Sequence, residues 1–446
     1  MFTRVRLRNF RSFDKIDFDL TEKNNTPKSL AIVFGENGAG KSNLMSAFVL
    51  LNELLATMDV RDAYEDFLSR KAIFYDENME KAMRQRIHDE LRDIQAIIDD
   101  CRMVGSIDPI TAEFEFRIGD NNGKYRIELG NDEIIHERLE YLLNKRRGTY
   151  FDCSDAGLVI NSGIVKNKEL LADIKAAAKR FWGKHSLLAI ITHELHDKAK
   201  SYGHDNISEN FNDVMAEIGL LSCNVKIGAK YWDHICTPLS VFASPIQGSI
   251  SAAKEKQLEI AEVVFSSFFS SINSDIKRAF YKKRYSEKYV DYELFFEKLI
   301  AGEYRAIDFS RESTGNHQLL RCLCYLLTAC IGGTVVIDEA DSGVHDVLFN
   351  KILQEIAPFV DGQIIMTTHN SMLMESSFAH VATYILNEEE NGHKQIRSIS
   401  DYDKRTFYNN NIRNKYLNNE YGGLPTVKEI DFKRLLDEIA TVTPDT

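Results

Sequence analysis

The hydrophobic and polar positions of this chain change period several times, and each change marks an element. Residues 2–7 and 15–20 alternate apolar and polar side chains on either side of Asn9-Phe10-Arg11-Ser12-Phe13, which predicts two strands. Leu30-Ala31-Ile32-Val33-Phe34 is continuously apolar, as a strand buried on both faces must be, and residues 43–51 continue with helical spacing after a glycine-rich turn. Between residues 59 and 102 dense charge of both signs recurs at helical spacing, which predicts a helical element set into the first lobe. Residues 110–118 and 124–129 alternate again around Gly119-Asp120-Asn121-Asn122-Gly123, a hairpin signal. From about 170 to 299 the spacing is mostly helical.

After residue 308 strands and helices interleave once more. A helix starting near Ser313-Thr314-Gly315 runs to Cys330, and β-branched or apolar runs follow at 334–337 and 363–366, with a short strand at 395–399. The expected organisation is therefore a first lobe at 1–58, a helical insertion at 59–104, the first lobe resumed at 105–165, a second helical insertion at 166–300 and a second lobe at 301–446. The fold class is α/β with a mixed sheet.

Composition narrows this little. The chain has 446 residues and a net charge of −12, enough length for two or three cores and too acidic for a surface that is basic all over, although a local nucleic-acid groove stays open. No run of about 18 apolar residues exists, and the first residues alternate charge with apolar side chains instead of opening a signal core, so a cytoplasmic protein with no membrane partner is expected. The seven cysteines lack paired metal-ligand spacing and read as buried, reduced thiols.

The candidate chemistry sits where apolar runs end. Gly35-Glu36-Asn37-Gly38-Ala39-Gly40-Lys41-Ser42 meets the G-x-x-x-x-G-K-[ST] spacing between a strand and a helix, the context of a phosphate-binding loop. In such a loop the small residues Gly35, Gly38 and Gly40 with Asn37 let backbone amides converge on phosphate at a helix N-terminus. Lys41 adds a point charge toward the β/γ-phosphates, and the Ser42 hydroxyl joins a Mg²⁺ shell. Thr334-Val335-Val336-Ile337-Asp338-Glu339 is a Walker B pattern: Asp338 faces the metal opposite Ser42, and Glu339 orients the attacking water. The strand at 363–366 ends in Thr367-Thr368-His369-Asn370, which places His369 at the γ-phosphate. Order and spacing together point to nucleotide binding and hydrolysis.

Weaker signals leave two readings each. Arg11 either approaches the nucleotide or is a solvated strand-end arginine. The patch Lys277-Arg278-Ala279-Phe280-Tyr281-Lys282-Lys283-Arg284-Tyr285 suits phosphate contacts with stacking, or an ordinary exposed element. His193-Glu194-Leu195-His196 lacks zinc spacing. Asp401-Tyr402-Asp403 is a candidate metal pair of a nuclease, without a third acidic partner.

These residues, together with Glu312-Ser313-Thr314-Gly315-Asn316 and the late Lys415-Tyr416-Leu417-Asn418-Asn419-Glu420-Tyr421-Gly422-Gly423-Leu424-Pro425, resemble the ABC-type ATPases of the SMC, RecF and OLD-like group. Within it the chain is most similar to ATPases of prokaryotic anti-phage defence operons, the AriA-type subunit of PARIS systems first and the Septu- or retron-linked ATPases second. The resemblance implies an ABC-ATPase head and an ATP-sandwich homodimer, or a higher oligomer, in which Ser313 and Gly315 touch the partner's nucleotide. It implies ATP and Mg²⁺ as cofactors, an effector from a neighbouring gene (a nuclease) as partner, and a phage-encoded trigger, with the helical insertions as contact elements. The alternative is a RecF- or SMC-like repair ATPase that binds DNA. Two departures stand out. No glutamine lies between Gln95 and Gln247 to serve the loop joining the lobes, leaving His136 or Glu137 as substitutes, and the signature lacks a doubled glycine, which implies slow or gated turnover.

Overall fold

A computed structural model describes residues 1–22, 24–69, 92–196, 206–228, 230–402, 411–424 and 430–440. Its centre is a sheet whose strands run, in spatial order, Lys230–His234, Leu221–Ile227, Thr334–Ile337, Gln363–Thr367, Leu30–Phe34, Thr383–Glu388 and Lys394–Ser398. The five inner strands are parallel and each outer one pairs antiparallel with its neighbour. Leu30–Phe34 is buried at every position, as its unbroken apolar run requires. Alternate residues serve different cores: Ala31 and Val33 face one, and Leu30, Ile32 and Phe34 the other.

The first core lies between this sheet and a second, antiparallel one of order Phe13–Asp19, Phe2–Phe10, Ile110–Ile118, Asn121–Leu129, Ile134–Leu143, Arg146–Ser154 and Gly157–Ile160. The helix Lys41–Ser69 runs through it, with the Phe48 ring 5.3 Å from Phe2 and 6.2 Å from Phe114. Such aromatic pairs add about 0.5–1.5 kcal/mol each beyond area burial. Length and composition alone would let this helix cross a membrane, but 72% of its most apolar window is buried in the fold, where it serves as a core helix. Gln363 ties the two sheets: fully buried, it donates to the carbonyls of Phe2 and Lys28 at 2.9 Å and accepts from Phe2 N at 2.8 Å.

On the opposite face the second core is closed by the helices Lys256–Ile272, Thr314–Cys330 and Asp346–Ile356, and by a small antiparallel sheet of Gln247–Ser251, Tyr289–Ile300, Ile276–Tyr285 and Glu303–Asp308. This corrects the helical reading of 166–300. Helices do occur there (Lys168–Phe181, Leu187–His196, Glu209–Gly219 and Lys256–Ile272), but so do five strands, one of which is the parallel neighbour of Thr334–Ile337. Leu221–Ile227 is buried on both faces along its first five residues, which erases the period of two, and Ile276–Tyr285 carries a register shift between Ile276 and Arg278 that breaks its alternation. The predicted insertion at 59–104 holds the end of the helix Lys41–Ser69 and the helix Ile94–Cys101; its residues 70–91 lie outside the described ones.

The weaker sequence signals find local partners. His193 Nε2 meets Asp62 Oδ2 at 2.7 Å. On Ile276–Tyr285, Lys277 and Arg278 pair with Glu297 (3.3 and 2.6 Å), Lys283 with Glu255 (3.8 Å) and Arg284 with Glu293 (3.6 Å), while Lys282 caps the Phe295 ring. The basic-aromatic patch is thus a strand whose charge is balanced within the fold. Asp401 lies on the short helix Ile399–Tyr402, and Asp403 lies outside the described residues. All seven cysteines are free, and burial pushes the Cys101, Cys153 and Cys322 thiols up to about 12.

Candidate nucleotide site

The site lies at the C-terminal ends of the parallel strands, where successive loops leave the central sheet. Gly35 follows the strand Leu30–Phe34, and the space for a side chain there is filled: a Cβ would stand 2.4 Å from the Leu386 carbonyl oxygen on the adjacent strand. Gly40, with φ of +105°, has Ser12 Oγ 2.9 Å from where its Cβ would be. Ser12 in turn accepts from Asn43 Nδ2 at 2.8 Å, so the turn between the first two strands braces the loop from behind. Asn37 and Gly38 are exposed at its mouth.

Lys41 is buried and donates to the carbonyls of Gly35 (2.8 Å) and Glu36 (3.1 Å), curled over its own loop. Burial pushes its ammonium below the ordinary lysine value, against Asp338, Glu339 and Glu36, which pull it back up. A buried cation at the first residue of the helix Lys41–Ser69, whose opening amides have no intrahelical partner, suits a polyphosphate. Lys394 reinforces it from the hairpin strand Lys394–Ser398, donating to the Gly38 carbonyl at 3.1 Å. Its sequence neighbourhood carried no sign of that role.

Asp338 follows the strand Thr334–Ile337 and is fully buried. Its Oδ1 accepts from Thr367 Oγ1 at 2.6 Å, whereas Oδ2 has no partner among the described residues. An unpaired carboxylate oxygen held out of water costs several kcal/mol unless a cation reaches it. The donor set of Asp338 with the Ser42 hydroxyl therefore fits a hard divalent ion such as Mg²⁺. Glu339 turns out of the strand in the left-handed region (φ 48°), fixed there by its N–H on Thr367 Oγ1 at 2.8 Å. Thr367 thus positions both acidic residues, a role the sequence signalled only by a threonine at a strand end. Replacing it with the near-isosteric valine is expected to lower ATP turnover about 10- to 100-fold and to cost ~1–3 kcal/mol of stability, read by phosphate release and urea unfolding. Unchanged turnover would remove Thr367 from the site.

His369 follows on the next loop and is exposed to solvent. Burial pushes its imidazole below the ordinary histidine value and Lys41 adds to this, while Asp341, Glu339 and Asp338 oppose it. The ring is therefore within electrostatic reach of the lysine and both Walker B carboxylates. Asn370 anchors the loop, donating from Nδ2 to the Asp346 carbonyl at 2.9 Å and accepting from Met372 N at 3.0 Å.

Ser313 caps the 17-residue helix Thr314–Cys330, accepting from Asn316 N at 3.2 Å, and both Ser313 and Thr314 are exposed. Gly315 is required: a Cβ there would stand 2.8 Å from the carbonyl oxygen of Gly343, in the loop after Glu339. The predicted signature and the loop following Walker B therefore form one contiguous surface, with an uncovered helix N-terminus.

Two expectations are set differently by the structure. The Arg11 guanidinium is held by Asp100 on the helix Ile94–Cys101, and that carboxylate also takes Arg92 at 2.9 Å; it is Ser12, one residue on, that touches the loop. Arg11 sits in the left-handed region (φ 51°) with its N–H on the Cys101 carbonyl, so the ion pair closes a turn. Neither His136 nor Glu137 is free to replace the missing glutamine. Glu137 is fully buried in the first core, accepting from Tyr125 OH (3.0 Å), Trp182 Nε1 (3.1 Å) and Leu187 N (2.7 Å), and His136 meets Asp152 at 2.8 Å.

Comparison with solved structures returns SMC and RecF heads. The Smc head bound to the C-winged helix domain of ScpA is 16% identical over 91% of this chain and 99% of that one, with a TM-score of 0.45. The SMC head domain from Thermotoga maritima is 14% identical over 89% and 98%, with a TM-score of 0.38. The recombination mediator protein RecF of the RecFOR pathway is 11% identical over 89% and 98%, with a TM-score of 0.37. Among curated proteins none matches the sequence. Residues 30–375, which run from the strand before the phosphate loop to the turn after His369, match a P-loop ATPase family, and the chain belongs to that family, described as "AAA domain, putative AbiEii toxin, Type IV TA system".

Proposed function

We propose that this chain is an ABC-type ATPase that works as a regulator in an anti-phage defence system, holding an effector protein while ATP is bound and releasing or activating it on a phage-derived trigger. The reading rests above all on the joined surface of Ser313, Gly315 and Gly343, an exposed helix N-terminus that suits the γ-phosphate carried by a second copy. Family membership, with its toxin–antitoxin description, supports the defence setting.

In this mechanism the amides of residues 35–42 cradle the β-phosphate, and Lys41 leaves its own loop carbonyls to meet the β/γ-oxygens. Ser42 and Asp338 would hold Mg²⁺, which neutralises charge on the phosphate oxygens. Glu339 accepts a proton from the attacking water, and His369 contacts the γ-phosphate from the neighbouring loop. Turnover is slow or gated, in keeping with a Ser313-Thr314-Gly315-Asn316 signature that lacks a doubled glycine. Coupling to an effector then requires only that ATP bind one assembly state more tightly than the other.

The test is the mass in solution of the chain co-expressed with the product of the adjacent gene, with and without ATP and Mg²⁺. The expected result is an ATP-held complex of at least two copies with that neighbour. A chain that stays alone and retains duplex DNA in a salt-dependent way would replace the regulator with a DNA-clamping ATPase.

A further inference from the structure

The late tyrosine–glycine segment lies on the nucleotide site. The helix Ile412–Leu417 and the turn after it close over the ends of two strands: Tyr416 sets its ring 5.9 Å from Phe34, the last strand residue before the phosphate loop, and Tyr421 is buried beside it in the second core. Gly422 and Gly423 both take positive φ, +72° and +87°. A Cβ on Gly423 would stand 2.8 Å from Ile385 Cγ2 and 3.6 Å from the Cα of Gly35, so this backbone lies directly on the first glycine of the loop. At its other end Arg413 donates to Ser371 Oγ (3.2 Å) and pairs with Glu375 (2.9 Å), both on the short turn Ser371–Glu375 that Asn370 caps, one residue after His369.

From this we infer that residues 411–424 form a strap that holds the phosphate loop and the His369 loop in register, with Arg413 a positioning residue for His369. The two loops leave different strands, Leu30–Phe34 and Gln363–Thr367, and the γ-phosphate must fit between them. Sub-ångström errors in such placement are costly, because the reacting atoms must meet at about 3–3.5 Å. The strap spans both loops with one short helix. Arg413 acts by fixing the turn Ser371–Glu375, whose cap Asn370 directly follows His369.

The inference rests on the ATPase reading above, and its test separates the two. Arg413→Gln is expected to lower turnover about 10-fold while leaving the affinity for a non-hydrolysable ATP analogue within about twofold, since the phosphate loop keeps its own contacts. Arg413→Lys, which keeps the pair with Glu375, is expected to restore most of the rate. Combining Arg413→Gln with His369→Ala should add little to the loss from His369→Ala alone. Ring titration of His369 by NMR gives a readout that does not depend on turnover: its value should move up toward the ordinary histidine range in Arg413→Gln and stay low in Arg413→Lys. Independent, multiplying losses, or an unmoved His369 ring, would overturn the strap while leaving the ATPase intact. A wild-type chain that binds no ATP would overturn both.

Discussion

Glu339→Gln is expected to lower ATP turnover about 10²- to 10⁴-fold while ATP remains bound, the usual scale for removing a positioned general base. The amide keeps the shape of the side chain, and the backbone that places it is fixed independently, by the Glu339 N–H on Thr367 Oγ1. Neither Lys41 nor Asp338 loses a hydrogen bond in the exchange. Binding and hydrolysis should therefore separate. The variant should accumulate in the assembly that ATP stabilises, visible as a shift to higher mass with ATP and Mg²⁺ that wild type shows only transiently. Turnover within about threefold of wild type would assign the base to another group, with His369 the nearest choice.

Gly35→Ala should be the most damaging single methyl group added to the phosphate loop. A Cβ at 2.4 Å from the Leu386 carbonyl oxygen meets backbone, not the flexible end of a side chain, so either the strand Thr383–Glu388 or the start of the loop must move. Overpacking of this kind costs about 1–3 kcal/mol of stability, and the displacement falls on the residue whose carbonyl holds Lys41. ATP binding is expected to weaken by about 100-fold or more, measured by calorimetry or a fluorescent analogue. Gly38→Ala is the control. Its Cβ would enter open space, so only the strain of φ +87° remains, about 1–3 kcal/mol at the mouth of the loop. If Gly35→Ala binds ATP as well as Gly38→Ala does, the close approach to Leu386 has no role in shaping the loop.

Much of this site was readable before any coordinates, because its chemistry is local. The strand Leu30–Phe34, its glycines and its lysine are contiguous, so periodicity and turn residues specify them together. Thr334–Ile337 and Gln363–Thr367 announce themselves in the same way, as β-branched runs ending in polar residues. What escaped depends on distant partners. Leu221–Ile227 reads as a helix or a strand until Thr334–Ile337 is placed beside it. Arg11 is a free cation in the sequence and half of an ion pair with Asp100, 89 positions away, in the fold. Glu137 looked like an available ligand because nothing near it in sequence reveals Tyr125, Trp182 and Leu187 converging on its carboxylate. The glycines of the late turn were visible as a motif, but the surface they press against, Gly35 and Ile385, was not.

The spatial order of the central sheet also governs when the site can exist. The strand Leu30–Phe34 leaves the ribosome long before either of its neighbours, Gln363–Thr367 and Thr383–Glu388, which follow it by more than 300 residues. Until they arrive, the phosphate loop hangs from a strand with both edges unpaired. Such long-range closure is slow and leaves hydrophobic edges exposed during synthesis. A chain interrupted before residue 363 carries the whole phosphate-loop sequence and neither of the strands that hold it flat, so nucleotide capture waits on segments made more than 300 residues later.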